Sequence, residues 1–157
     1  MPRSFKSTQQ YQNPDPKFGS LLATKIINKI MLDGKKTTAQ RIFYMALDVA
    51  EKKVNDIESQ EDIFTRAVDN VRPMVEVRSK RVGGANYQVP REVRRNRQQS
   101  LAIRWLVDNA RKKRGKPMHL RLAEELADAA NGTGVSVTQK ENIHKMAEAN
   151  KAYSHFA

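Results

Sequence analysis

The chain has 157 residues, the size of one ordinary domain and enough to bury a core without covalent staples. It contains no cysteine, which excludes disulfides, zinc–thiolate centres and a thiol nucleophile; no apolar run approaches the roughly 20 residues that cross a bilayer, and the polar, Gln-rich start has no signal-peptide core. The net charge is +12 and the pI near 10.1, a balance that points toward a polyanionic partner.

Residues 1–19 are polar and hold Pro2, Pro14, Pro16 and Gly19. They read as an extended N-terminal arm that a partner would order, with Arg3 and Lys17 laid along a phosphate backbone. Over 20–32, Leu22, Ile26 and Ile30 recur at i, i+4, i+8, which predicts a helix ended by Asp33-Gly34. Lys35 and Lys36 then fall in a tight interhelical loop. Over 37–53, Ala39, Ile42, Phe43, Ala46, Leu47 and Ala50 draw one apolar face, and Thr37 with Gln40 reads as a capping box. A third helix is expected from about Ser59 to Val71, stopped by Pro73.

The pattern then changes to near alternation with β-branched residues. Met74 to Val82, the turn residues Gly83-Gly84-Ala85-Asn86, and Tyr87-Gln88-Val89 before Pro90 predict a β-hairpin over 74–90. A two-stranded ribbon is marginal alone in water, so one bearing Arg78, Lys80 and Arg81 reads as an arm awaiting a ligand. A fourth helix covers roughly 94–113, with Ala102, Trp105, Leu106 and Ala110 facing inward and Leu101 at the edge. A fifth runs from Pro117 to Ala130, and a sixth starts near Thr138, where Thr138 and Glu141 suggest another capping box. The expected fold is a mainly α single domain, 1–157, of about six helices with a protruding two-stranded β-hairpin.

The charge is unevenly placed. Between Arg72 and Arg121 there are 15 Lys or Arg against Glu76, Glu92 and Asp108, while elsewhere 14 basic and 14 acidic residues cancel. Residues 1–36 add a second basic block, with seven Lys or Arg against Asp15 and Asp33. An anionic membrane competes as partner, but the polar start and single Trp offer little to insert. Nucleic acid is therefore expected, and no membrane. The run Asp48 to Asp69, with seven acids and three bases, would face away from it.

Each constellation has a functional and a plain reading. Asp33-Gly34-Lys35-Lys36-Thr37-Thr38 lacks the earlier Gly and the preceding strand of a nucleotide loop. It is either a phosphate contact through two Lys and the amides opening the next helix or a solvated turn. Arg111-Lys112-Lys113-Arg114-Gly115-Lys116 holds more cations than a helix C-terminus requires, which favours phosphate contact. Arg91, Arg94, Arg95 and Arg97 cluster where the hairpin returns, and Arg104 shares a face with Arg111. Tyr87 could stack on a base or ribose, or simply pack across the ribbon. His144 follows Glu141 in a lone Glu-x-x-His, so no metal site is expected, and His144 reads as an exposed residue near an RNA or protein surface. Glu124, Glu125 and Asp62 read as a solvated helix face rather than as catalytic acids. No enzyme activity and no cofactor are expected. A free helical DNA-binding regulator is the rival class, but no helix-turn-helix pair with base-reading residues stands out.

Several blocks resemble one family. Asp15-Pro16-Lys17-Phe18-Gly19-Ser20, Asp33-Gly34-Lys35-Lys36, Ile42-Phe43 with Ala46, Val75 to Gly84 with Tyr87-Gln88-Val89-Pro90, Leu101 to Leu106, and Met146 to Ala152 are similar to small-subunit ribosomal protein seven, in its bacterial or organellar branch. The likeness departs after Val93-Arg94, where Arg95 stands for the family's usual Pro and Gln98 for an Arg. The resemblance implies direct binding to the 3′ major domain of small-subunit ribosomal RNA and a start to assembly of the subunit's head. It further implies a ribbon and last helix near the exit-site tRNA and the mRNA path. Small-subunit proteins nine and eleven would be neighbours, in the cytoplasmic ribosome of a bacterium or in an organellar one.

Overall fold

The computed structural model describes residues 11–54 and 59–156. Six α-helices and one ribbon follow in order: α1 (Leu21–Ile30), α2 (Lys36–Glu51), α3 (Gln60–Val71), β1 (Val75–Val82), β2 (Ala85–Glu92), α4 (Arg95–Lys112), α5 (Met118–Ala130) and α6 (Val135–Ala149). A 3-10 turn over Lys151–Phe156 closes the chain. The mainly α single domain with a two-stranded hairpin is the expected fold.

The apolar stripes meet around α4 and α5. Phe43 and Leu47 of α2, Ile63, Phe64 and Val68 of α3, and Leu122 and Leu126 of α5 are all but inaccessible to water. Helix α4 is buried nearly all round, because Leu101, Ala102, Ile103, Trp105, Leu106, Val107, Asn109 and Ala110 face neighbouring helices. It touches α1, α3, α5 and α6. Of its residues 101–110, Arg104 alone is exposed and Asp108 half-exposed.

Several boundaries differ from the sequence reading, each for a local reason. Helix α2 begins at Lys36 with no side-chain cap, so Thr37 lies inside it and the first capping box does not form. Helix α6 begins at Val135, three residues before Thr138, whose hydroxyl instead donates back to the Gly134 carbonyl at 3.0 Å. Gly134 has φ 91°, and a Cβ there would fall 2.8 Å from Asp128 Cβ, so only glycine fits this entry. Helix α3 does have a side-chain cap, since Ser59 Oγ accepts the Asp62 N–H at 3.2 Å.

The ribbon is longer than expected. Its turn is Gly83-Gly84 alone, with φ 58° and 89°, the positive pair that a two-residue primed turn requires. Strand β2 continues past Pro90, which faces Val77, to Glu92 opposite Val75. In a two-stranded ribbon each strand has a free edge, and a proline lacking N–H is tolerated there.

The near end of the N-terminal arm is anchored to the body. Asp15, 3% exposed, accepts the N–H groups of Lys17 and Phe18 through Oδ2 and the Tyr44 hydroxyl through Oδ1 at 2.7 Å. Burial, then the bond to Asp15, pushes the Tyr44 phenol up to about 12. Phe18 packs edge-on against Phe43, Tyr44 and Phe64. Residues 15–18 thus have a packed partner within the chain.

Candidate nucleic-acid interface

The candidate cations fall on three elements: the turn after α1, helix α4 with the loop that follows it, and the ribbon. After α1, Asp33 and Gly34 take positive φ and the chain reverses, leaving Lys35 and Lys36 exposed. The N–H groups of both lysines bond within the turn, to Leu32 and Gly34 carbonyls at 3.0 and 2.9 Å. Contact with an anion here falls to the ammonium groups, not to those two amides. Beside this turn, α1 and α4 form a groove of about 300 Å³ lined by Gln12, Lys25, Lys29, Ser100, Ile103 and Arg104. The sequence reading missed Lys25 and Lys29. Their spacing of four on the polar face of α1 was the available signal. Lys25 donates to Gln99 at 2.7 Å and Lys29 lies 3.3 Å from Asp108.

The sequence placed Arg111 with Arg104 as a surface cation. The structure separates them. Arg111 folds onto the end of α1 and donates one guanidinium nitrogen to the carbonyls of Lys29 and Ile30, both at 3.1 Å. Those carbonyls have no partner inside their own helix, so Arg111 caps α1. Arg104 is exposed and enters no ion pair among the described residues.

The basic loop after α4 divides in the same way. Lys112 and Arg114 are exposed. Lys116 pairs with Glu124; that hydrogen bond, with the nearby charges of Lys53 and Lys113, holds the Glu124 carboxyl below the usual range. Lys113 turns inward, its Nζ 2.9 Å from Glu125 Oε2. Glu125, read from sequence as a solvated acid, is 1% exposed. Its other oxygen accepts the Ser136 N–H at 3.0 Å and the Ser136 hydroxyl at 2.6 Å. The approach of Lys113 is that of an ion pair without the alignment of a hydrogen bond. Arg121, one turn before Glu125, donates to the carbonyls of Arg111 and Lys113.

The ribbon's register assigns its side chains to faces. Glu76, Arg78, Lys80, Tyr87, Val89 and Arg91 share one face; Ser79, Arg81, Asn86 and Gln88 share the other. Glu76 binds Arg78 at 2.7 Å and, across to α4, Arg97 at 2.8 Å. Burial raises the Glu76 carboxyl, but the Arg97 hydrogen bond and the two arginine charges outweigh it, and the net lies below the ordinary value. Arg81, Arg91, Arg94 and Arg95 are exposed. Tyr87 is half-buried, its ring 5.0 Å from that of Tyr153 in the terminal turn. Neither of the two readings foresaw that partner.

Two further expectations are relocated. Lys17 lies over the rings of Phe18 and Tyr44 at 5.0 and 5.2 Å and reaches Gln60 at 3.0 Å. It sits toward the acidic side, where Gln60 also bonds Asp48 and Glu51, and away from the basic elements. His144 is half-buried, and its Nε2 accepts the Met74 N–H at 3.1 Å, holding the ribbon's root to α6. Burial, then Lys140, lowers its pKa. Arg3 lies outside the described residues. Among the described residues no group of three or more His, Cys, Asp or Glu is placed to hold a metal ion, and no helix is long and apolar enough to cross a membrane.

The chain matches a known family over nearly its whole length. Residues 2–151 fit the pattern of ribosomal protein S7p/S5e. The chain is 54% identical over 156 residues to small ribosomal subunit protein uS7 of Eikenella corrodens, covering 99% of both chains. It is 57% identical over 143 residues to that of a Nitratiruptor species, covering 91% of both. It is 52% identical over 144 residues to that of Fervidobacterium nodosum, covering 92% of both. With the helical body, the glycine-tipped ribbon and the basic elements on the page, this places the chain in the ribosomal protein S7p/S5e family, whose members are structural proteins of the small ribosomal subunit rather than enzymes.

Proposed function

We propose that the protein binds the 3′ major domain of small-subunit ribosomal RNA directly and starts assembly of the subunit's head. The observation that carries this reading is the distribution of exposed cations without an acidic partner among the described residues. Lys35 and Lys36 follow α1, Arg104 and Lys112 lie on α4, Arg114 follows it, and Arg81, Arg94 and Arg95 stand on and beside the ribbon. These positions are distant in sequence but fixed to one core. A rigid body that neutralises several RNA segments at once favours the arrangement that brings them together. Structured RNA offers side chains a deep major groove they cannot read, so recognition falls to backbone geometry and loops.

Arg78, Lys80, Arg91, Arg97 and Lys116 are exposed as well, and of these Arg78 and Arg97 pair with Glu76 and Lys116 with Glu124. Arg111, Lys113 and Lys17 hold the protein together instead. The ribbon and last helix would lie near the exit-site tRNA and the mRNA path. Small-subunit proteins nine and eleven would be neighbours in a bacterial cytoplasmic ribosome, the source of the relatives described above.

The test is competition between a 3′ major-domain RNA fragment and duplex DNA at matched salt. Log affinity for the RNA should fall with log salt by roughly 0.7–0.9 per phosphate contacted, so several contacts give a steep slope. Equal affinity for the DNA, or a nearly flat slope for the RNA, would refute the proposal.

A further inference from the structure

We infer that Glu125 is a specificity-determining positioning residue for RNA binding: it sets the basic loop after α4 in fixed relation to α6, the helix to which the ribbon is rooted. The inference rests on the RNA-binding reading above. Its starting point is an anomaly of composition. Position 125 of α5 lies among Leu122, Ala123, Leu126 and Ala129, all buried, where an apolar side chain would fit without desolvating a charge. Burying an ion pair contributes little net stability compared with apolar residues of the same volume. What it does supply is direction, because a carboxylate has two oxygens that accept along defined lines.

Both oxygens are used, on different elements. One accepts the Ser136 N–H and hydroxyl at the opening of α6, where the helix N-terminus favours negative charge. The other faces Lys113, the cap residue that follows α4. Ser136 is fully buried, and its hydroxyl accepts from Asn109 of α4 at 3.1 Å. Asn109 also reaches Gln139 of α6 at 3.0 Å. One turn earlier on α5, Arg121 grips the same loop by its backbone, at the Arg111 and Lys113 carbonyls. Arg121 therefore holds the loop's main chain, and Glu125 decides which way Lys113 points and where α6 begins.

Of the two elements so joined, one carries cations of the interface and the other holds the ribbon that carries more of them. The end of α4 and the loop after it present Lys112 and Arg114. Helix α6 receives the ribbon's root through His144 and the Met74 N–H. A path of one ion pair, a few hydrogen bonds and one helix thus runs from loop to ribbon, and Glu125 is its joint. Removing the charge would free Lys113 as an unplaced cation and uncouple the loop from α6, without opening the Leu122–Leu126 core.

The experiment compares binding of a 3′ major-domain RNA fragment with binding of an unrelated RNA duplex of equal length, at several salt concentrations. The full-length wild type, E125Q and E125Q/K113M are used. Gln keeps the acceptor for Ser136 but turns an N–H toward Lys113. E125Q should lose discrimination between the two RNAs by roughly tenfold, the weight of one misplaced contact. Its slope on the duplex should steepen by about one as Lys113 becomes available, and adding K113M should bring that slope back. A residue with a purely structural role would lower melting without changing discrimination below the transition. Wild-type discrimination together with equal discrimination by E125Q overturns the inference alone. A wild type that cannot tell the RNAs apart overturns the RNA reading and the inference with it. Should E125Q fail to fold, Ser136→Ala, which keeps the ion pair, must lose discrimination in the same direction; unchanged discrimination there would assign Glu125 to stability and refute the proposal.

Discussion

Arg104 and Arg111 lie seven residues apart on α4, and the structure predicts opposite consequences for their loss. Arg111→Ala removes two guanidinium hydrogen bonds to the terminal carbonyls of α1, each 3.1 Å long. Such bonds from a charged donor contribute about 1.5–3 kcal/mol where fully sheltered. The Arg111 side chain is 34% exposed, so solvent competes for the same carbonyls and the expected loss is about 1–2 kcal/mol. Against a total stability of about 5–15 kcal/mol this is readily measured. Arg104→Ala, at an exposed site, should change stability by less than about 0.5 kcal/mol but shallow the RNA salt slope by about one. Trp105, the only tryptophan and 9% exposed, serves as the probe of urea unfolding. With a slope of about 1–3 kcal/mol/M, Arg111→Ala should lower the urea midpoint by roughly 0.3–2 M and leave the slope unchanged. If Arg111→Ala unfolds like the wild type while Arg104→Ala is destabilised, the capping of α1 by Arg111 is wrong.

Trp105→Ala should cost about 3–5 kcal/mol through the cavity left among the helices around α4, seen as an earlier thermal transition by circular dichroism. Deleting Ser79 to Tyr87 should leave the cooperative melting transition in place, because every residue of the main core cluster lies outside that segment; the defect should appear in retention of exit-site tRNA. Glu76 has its folded pKa depressed by Arg97 and Arg78, so its contribution is complete above the unfolded carboxylate value and fades as pH falls through the lower, folded value. Glu76→Gln should remove that acid-side slope from the stability profile. His144 is likewise depressed, below 6.5, and accepts the Met74 N–H only when neutral. Its NMR midpoint should fall below that value, with the Met74 amide shift following the same titration; a midpoint above it would mean the bond is not formed.

Much of the helical framework was legible because it obeys local rules. The stripes of α2 and α3 repeat at helical spacing, and Gly83-Gly84 admits a turn that few other pairs can make. What was not legible depends on distant residues. The start of α6 was placed three residues late because its N-terminus is capped by Glu125 from another helix, while Thr138 offered a convincing local substitute. Glu125 looks like any helical acid until Lys113 and Ser136 are brought beside it. Arg111 and Lys113 belong to a run whose density suggests phosphate, yet the tertiary fold turns two of its cations inward. Lys17 sits in a block taken for an arm, and only the ring cluster of Phe18, Phe43, Tyr44 and Phe64 reveals what holds it.

The central place of α4 and α5 has a consequence for how the chain is made. Helices α2 and α3 pack more extensively on α5 than on each other, and α1 leans on α4 as well as on α2. Synthesis proceeds from the N-terminus at about 5–20 residues per second, so the first three helices leave the exit tunnel before the surfaces they cover exist. Their apolar faces wait until residue 130 has emerged, and the hydroxyl and amide of Ser136 that complete the Glu125 joint come later still. Until then the nascent chain exposes the apolar faces of its first three helices, and the core they form is complete only once α4 and α5 are made.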